Sequence, residues 1–491
     1  MINNTDKSIN NLLLKYPLIV LFESIIFIFL VKQAFSFFFY ILIFFTVIFL
    51  ITIFNYKPEY GPYLLISSII FEGFYISIFD ANLKFPYIIL FIFLIILFFR
   101  TIITYKISFR NNPFAGILGI FIILNLFSIM YSPSKLDTIK NFLLYLIFFL
   151  IFLVISSFVN SKKKLVNCVS MLIAVTIISC IIGMIQIISS IIFNNTFLPN
   201  QGSLEIVSGW SRLRVVGFFC EPDQFGKFSM CMFLFFLPLY SYKGKIDISK
   251  NIVGLALFLS LFSLILSQTR SAWLGAIAGL IIFLILPNLP FKLKIFSYIK
   301  LFFVSIFSVT LMYFLKKEIF ESIFSRLYGI VDPIIGGASG VTRIVVTRRM
   351  FDLITASPFN IFFGLGSGSL NYYSRLLVYN GEWPEYMLGL GSFGFSFYLS
   401  IWFNIGLIGL AVILIFIIKY YKTSFLIARK CKNPFYVNII TGSVVMFTGM
   451  LVTSFVADSI HVSYFWVILG ISSACLMLAR GELVNESTIS K

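Results

Sequence analysis

Apolar runs long enough to cross a bilayer recur along this chain, and they leave it few ways to fold. They lie near 17–31, 35–54, 62–79, 86–104, 114–131, 139–159, 165–193, 224–240, 251–267, 271–287, 297–315, 396–418, 436–456 and 460–478. About 20 apolar residues in a helix span the hydrocarbon core. Inside it every backbone polar group must be satisfied by the chain itself, so only helices and closed barrels cross. These runs are continuous rather than alternating, which predicts an all-α polytopic membrane protein with about fourteen transmembrane helices. The chain is 60% hydrophobic, 11% charged, and has a mean hydropathy of +1.02. A soluble surface could not hide that much apolar area. Met1–Tyr16 is polar and no small-residue cleavage site follows the first run, so a retained first helix is expected rather than a cleaved leader.

The cations orient the helices. With the N-terminus cytoplasmic, 22 of the 37 Lys and Arg residues fall inside, including every basic cluster between helices. The inside set holds 4 Arg and 18 Lys; the outside set holds 8 Arg and 7 Lys. Lysine suffices as a topology signal, so arginine on the outer side asks for another reason. The eight are Arg212, Arg214, Arg270, Arg326, Arg343, Arg348, Arg349 and Arg375. They lie in three outer segments: 194–223, the tight join 268–270 and the long loop 316–395. Guanidinium forks bind phosphate bidentately and stay charged. An outer site for a phosphorylated, lipid-linked substrate is the functional expectation. The alternative use of these arginines is pairing with outer acids such as Glu205, Glu221, Asp223 and Asp352.

The loop 316–395 is too long to be a connector. Val341–Ala356 reads as a helix stopped by Ser357-Pro358. On it Arg348 and Arg349 precede Asp352 at ion-pair spacing, whereas Arg343 has no such acid and is the expected substrate contact. Gly364-Leu-Gly-Ser-Gly368 lacks a preceding strand, so it reads as a flexible turn carrying Asn371, Tyr372 and Tyr373 rather than as a phosphate cradle. Trp383, Tyr379 and Tyr386 suit sugar stacking or interfacial anchoring.

Three further groups could carry chemistry. Arg214-Val-Val-Gly-Phe-Phe-Cys-Glu221-Pro-Asp223 precedes an apolar run and supplies a phosphate anchor and a base; the alternative is an acid-capped helix start. Ser267-Gln-Thr-Arg270 joins two apolar runs with no room for a loop, which puts Arg270 at the outer boundary. His461 follows Asp458 by three residues and could act as a base oriented by an acid. Glu23 and Glu72 sit within apolar runs, where acids invite a functional reading. Six scattered cysteines and one histidine predict neither a disulfide framework nor a metal site, and no cofactor is expected.

Together these pieces resemble the bacterial O-antigen ligase and polysaccharide polymerase superfamily. The matching stretches are RVVGFFCEPDQFG (214–226), LSQTRSAWLG (266–275), TRIVVTRRM (342–350), PFNIFFGLGSGS (358–369), FYLSIWFNIGLIGL (397–410) and FWVILGI (465–471). The resemblance covers roughly 200–475. It implies a GT-C-like membrane glycosyltransferase with a large helical extracytoplasmic loop. It also implies inverting, metal-independent transfer of a glycan from undecaprenyl pyrophosphate at the outer face of the inner membrane.

On this reading Arg214, Arg270 and Glu221 are catalytic, and Arg343, Arg212, Asp223, Arg348 and Tyr372 bind substrate. The partners expected are the lipid-linked glycan, membrane lipid, a chain-length regulator and a flippase, with no nucleic acid. Ligases of the family carry a His-Asn pair just before the GLIGL-like helix. Counted back from Gly406, that pair falls at Phe395-Ser396, which favours a polymerase over a ligase or a protein-glycosylating relative. A lipid-linked oligosaccharide transporter is the reading outside enzymes. The expected divisions are N-terminal helices (1–193), a first catalytic part (194–315), the outer loop (316–395) and C-terminal helices with a tail (396–491).

Overall fold

The computed structural model describes residues 60–73, 75–78, 81–104, 112–193, 204–207, 210–219, 221–241, 247–286, 338–380, 396–457 and 460–489. These residues are helical apart from two short antiparallel hairpins. The longer helices are α1 (Gly61–Ser67), α2 (Phe85–Thr104), α3 (Ala115–Phe127), α4 (Lys135–Phe158), α5 (Lys162–Phe193) and α6 (Pro222–Ser241). They continue with α7 (Lys250–Leu266), α8 (Arg270–Ile285), α9 (Ala338–Thr355), α10 (Pro358–Phe363), α11 (Leu370–Tyr379), α12 (Phe397–Lys430), α13 (Pro434–Val456) and α14 (Ser463–Ile489). The hairpins are β1 (Tyr75–Ile78) with β2 (Ala81–Lys84), and β3 (Leu204–Val207) with β4 (Trp210–Leu213).

Among the described residues, five helices are long and apolar enough to cross a membrane: α4, α5, α12, α13 and α14. Shorter apolar helices cover Pro86–Ile96, Ala115–Met130, Lys250–Leu266 and Arg270–Ile285. The protein is therefore a helical membrane protein. The expected runs 17–31, 35–54 and 297–315 lie outside the described residues.

One expected span is overturned. The run 62–79 is not a single helix: α1 tightens into a 3-10 turn over Ser68–Gly73, kinks at Phe71, and is followed by the β1–β2 hairpin. Glu72 is the physical reason. Its carboxylate is fully buried and needs donors. The hairpin brings Lys84 back to it, Nζ to Oε1 at 3.2 Å. Ser463, at the start of α14, adds its backbone N–H at 2.9 Å and its hydroxyl at 3.0 Å.

The joins alternate between the two ends of the bundle. At one end Lys162 pairs with Asp247 at 2.8 Å, and Lys419 donates to the Pro113 carbonyl at 2.7 Å. The α3–α4, α7–α8 and α13–α14 joins lie at the other. α6 runs between α7, α8 and α13 and is buried along almost its whole length, despite Pro238 near its end.

α12 is interrupted at Ile405-Gly406, where Gly406 takes φ +70°. Residues 364–368 repair the break. Leu365 N–H donates to the Phe403 carbonyl at 2.7 Å, Gly366 N–H to the Asn404 carbonyl at 3.0 Å, and Gly368 N–H to Asn404 Oδ1 at 3.2 Å. Irregular backbone in an apolar bundle persists only when its polar groups are re-satisfied in this way. A Cβ on Gly406 would stand 2.0 Å from the Phe362 carbonyl oxygen, in a backbone region that side chains avoid. Gly406→Ala should therefore cost about 2 kcal/mol or more. The thermal unfolding midpoint of the detergent-solubilised protein should fall clearly below wild type; an unchanged midpoint would contradict the brace.

Candidate functional site

Two segments that are separate in sequence, 214–223 and 267–271, are fastened together at the end of the bundle opposite the Lys162–Asp247 pair. Arg214 follows β4 and is buried. Its Nε donates to the Ser267 carbonyl at 3.1 Å and its guanidinium reaches Thr269 Oγ1 at 3.4 Å. Thr269 holds the N-cap position of α8, but its hydroxyl donates to the Pro222 carbonyl at 3.0 Å instead of capping its own helix. Ser271 Oγ bonds Asp223 Oδ1 at 3.3 Å. The turn is sharp: Gln268 is buried with φ +52°, a conformation rare for a residue with a Cβ. Gly226 allows the close approach, since a Cβ there would lie 2.5 Å from Ser267 Oγ and 2.6 Å from Thr269 Oγ1.

The N-termini of α6 and α8 thus meet in one place, and each carries the positive end of a helix dipole. Arg270 is the first residue of α8 and is half-buried, between Thr269 and Ser271, which hold the other segment. Glu221 immediately precedes α6: the Phe225 N–H donates to its carbonyl at 3.2 Å, and its side chain is exposed. Sequence reasoning expected Arg214, Arg270, Glu221 and Asp223 in one site, and the fold brings these four together. It also divides their labour. Arg214 is a buried fastener of the turn, while Arg270, Glu221 and Asp223 face outward to differing degrees.

The remaining expected residues are placed less tightly. Arg212 pairs with Glu205 in the β3–β4 register, and Arg343 lies in α9; their side chains fall outside the described residues. Arg348 and Asp352 are both exposed, and the expected ion pair does not form between them. Tyr372 is exposed on α11 and packs edge-on against Tyr373 at 5.4 Å. Burial, and secondarily Tyr372, raises the Tyr373 phenol above its ordinary range, so it stays a protonated donor at neutral pH. Trp383, Tyr386 and Asp458 lie outside the described residues.

The glycine segment corrects another expectation. It is not a flexible turn but a buried wedge between α3, α4 and the α12 break. Ser367 N–H donates to Ser128 Oγ at 3.1 Å, and Ser367 Oγ to Asn125 Oδ1 at 2.9 Å. Asn141 Nδ2 donates to Ser367 Oγ at 3.3 Å, and the Tyr131 hydroxyl donates to the Phe363 carbonyl. His461 packs among Tyr145, Phe148 and Phe397, with ring centroids at 4.9, 6.3 and 6.5 Å.

Two site residues went unnoticed in the sequence. Gln186 on α5 clamps the turn after Arg214: its Oε1 accepts from the N–H groups of Val216 and Gly217 at 3.2 and 2.9 Å, and its Nε2 donates to the Gly217 carbonyl at 2.9 Å. Nothing in an apolar run marks such a glutamine except its polarity. Lys227, four residues after Asp223, forms an ion pair with it from inside α6. Its four-residue spacing from Asp223 was the signal the sequence offered.

Residues 255–414 match the family described as O-antigen ligase. The match runs from α7 through the first part of α12, and so includes Arg270, Arg343, Arg348 and Tyr372 but not the segment 212–223. No curated protein matches the chain.

Gln186→Leu should leave two buried N–H groups without their acceptor, at about 1–3 kcal/mol each. Gln186→Glu keeps the acceptor and should cost less. Thermal unfolding in detergent should rank wild type above the Glu variant and the Glu variant above Leu; equal midpoints for wild type and Leu would remove the clamp.

Proposed function

We propose that this chain, whose residues 255–414 match the O-antigen ligase family, is a membrane-embedded glycan-processing enzyme and, within that class, a polymerase of lipid-linked oligosaccharide repeat units. It takes the growing glycan from undecaprenyl pyrophosphate at the outer face of the inner membrane. The observation that carries the reading is the junction of the α6 and α8 N-termini with Arg214 and Arg270 in one polar layer. Helix N-termini and guanidinium groups are what a diphosphate needs.

In the proposed reaction an acceptor hydroxyl of one repeat unit attacks the anomeric carbon of the other. It approaches opposite the diphosphate, so configuration inverts. The new glycosidic C–O bond forms as the bond from the anomeric carbon to phosphate oxygen breaks, and undecaprenyl pyrophosphate leaves. Glu221, exposed at the start of α6, receives the hydroxyl proton. Arg270 contacts the departing diphosphate; Arg214 holds the turn that carries Arg270 and adds its charge to the field there. Asp223 and Tyr372 offer hydrogen bonds to sugar hydroxyls, and Arg343, Arg348 and Arg212 are assigned to substrate binding as well. The chain needs no metal for these steps. A chain-length regulator and a flippase are the expected working partners.

Two observations bear on the alternatives. Phe395-Ser396 stands where the family's ligases carry His-Asn, and this favours the polymerase over ligation to lipid core or protein. The buried charged side chains among the described residues are Glu72, Arg214 and Lys227, all in the layer at one end of the bundle. A transporter would place such charges along its path at mid-depth.

In reconstituted vesicles given an undecaprenyl-pyrophosphate-linked repeat unit alone, the protein should yield a glycan ladder and free undecaprenyl pyrophosphate. Arg270→Lys should lower that yield by about 100-fold or more while expression holds, the scale of losing one charge-stabilising donor. Glycan transferred only when lipid core is added would make it a ligase. Substrate crossing the bilayer unchanged would make it a transporter.

A further inference from the structure

Lys227 is the buried cation that the proposed reaction leaves unused. It lies five residues inside α6, about 7–8 Å along the axis. Its side chain is 3% exposed, whereas the carboxylate it pairs with, Asp223, is 37% exposed. An ammonium is not carried into an apolar helix without a partner, and a charged residue at such a place is functional by default. The pair is lopsided: the cation is sealed inside the bundle and the anion opens on the site. Lys227 therefore cannot reach a substrate and must act through Asp223. Ser271 holds the second carboxylate oxygen, next to Arg270. Asp223 is thus clamped from two sides, within the layer that also holds Arg214.

That arrangement poses an electrostatic problem. A carboxylate fixed beside arginines repels a diphosphate and offsets their charge. A cation behind it, out of the ligand's reach, cancels the carboxylate without competing for the ligand. We propose that Lys227 is a positioning residue that balances and orients Asp223, so that the site stays net positive toward a diphosphate-linked sugar. The proposal rests on the functional reading above and names the device that keeps its anion site cationic. Arg214, Arg270 and Lys227 contribute three positive charges, and Asp223 and Glu221 two negative, so the net positive charge is lost without the lysine. Removing the charge of Lys227 alone should weaken diphosphate binding; removing both charges of the pair should restore it.

The test compares wild type, Lys227→Met, Lys227→Arg, Asp223→Asn and Asp223→Asn/Lys227→Met in phosphatidylethanolamine–phosphatidylglycerol nanodiscs. Affinity for undecaprenyl pyrophosphate is measured directly, with kcat and KM for the lipid-linked repeat unit. Lys227→Met should raise Kd and KM roughly tenfold, the change worth about 1.4 kcal/mol, and alter kcat less. The double variant should recover most of that loss, and Lys227→Arg should stay near wild type. Asp223→Asn, which leaves the lysine unbalanced, should bind at least as tightly as wild type, and it supplies the decisive arm if Lys227→Met does not fold.

A Lys227→Met protein that is less stable yet binds normally would reduce the pair to scaffolding and overturn the proposal. So would a double variant that binds no better than Lys227→Met, or an Asp223→Asn variant that binds more weakly than wild type. Wild type that fails to bind undecaprenyl pyrophosphate would overturn the functional reading itself, and this proposal with it.

Discussion

The hydrogen bonds that tie Arg214 and Thr269 to the opposite segment are what the candidate site depends on. Arg214 holds the Ser267 carbonyl, and Thr269 holds the Pro222 carbonyl. Each bond joins a residue of one helix-starting segment to the backbone of the other. In water such contacts would be exchanged for solvent at little cost. In an apolar bundle an abandoned carbonyl or guanidinium has no substitute partner, so the contacts hold firmly. Two helix N-termini are thereby fixed side by side with Arg270 between them, and the local chemistry follows from that placement.

The same constraint is met twice more at this end. The break in α12 frees the carbonyls of Phe403 and Asn404, and residues 365 and 366 return the missing donors. The start of α14 presents an N–H to Glu72, whose second partner, Lys84, arrives on a hairpin. Tyr464, one residue into α14, reaches the Gln224 carbonyl in the first turn of α6 at 3.4 Å. Interrupted helices, buried charges and clamped turns therefore share one polar layer, while the polar side chains buried elsewhere in the bundle, such as Ser424, Asn438 and Ser472, are neutral. A reactive site needs groups held rigidly in surroundings that exclude water, and this layer supplies both.

Several helices were legible because long apolar runs are strong, local signals. The helices at 86–104, 114–131, 139–159 and 396–418 follow directly from them. The 62–79 run misled because hydropathy cannot see that a single buried Glu72 would draw a hairpin back onto it. The site was half legible. Arginine on the wrong side pointed to 214 and 270, but their joining through Thr269 and Pro222 is a tertiary fact with no sequence period. The glycine segment was misread for a related reason: Gly364, Gly366 and Gly368 look like freedom in a sequence, yet they let the backbone press against Asn404, Ser132 and Asp137. Lys227 stands in the sequence as Asp-x-x-x-Lys at the start of an apolar helix, an ion-pair spacing whose burial only the packing of α6 reveals.

The central claim is that a diphosphate-linked lipid docks where the α6 and α8 N-termini meet. A photoreactive undecaprenyl pyrophosphate, with its diazirine in the first isoprene unit, tests this in membranes containing the wild-type protein. After illumination and digestion, the account predicts crosslinked peptides from 214–230 and 266–275, competed away by unlabelled undecaprenyl pyrophosphate. Competed crosslinks confined to the opposite end, around Lys162, Asp247 or Lys419, would contradict it.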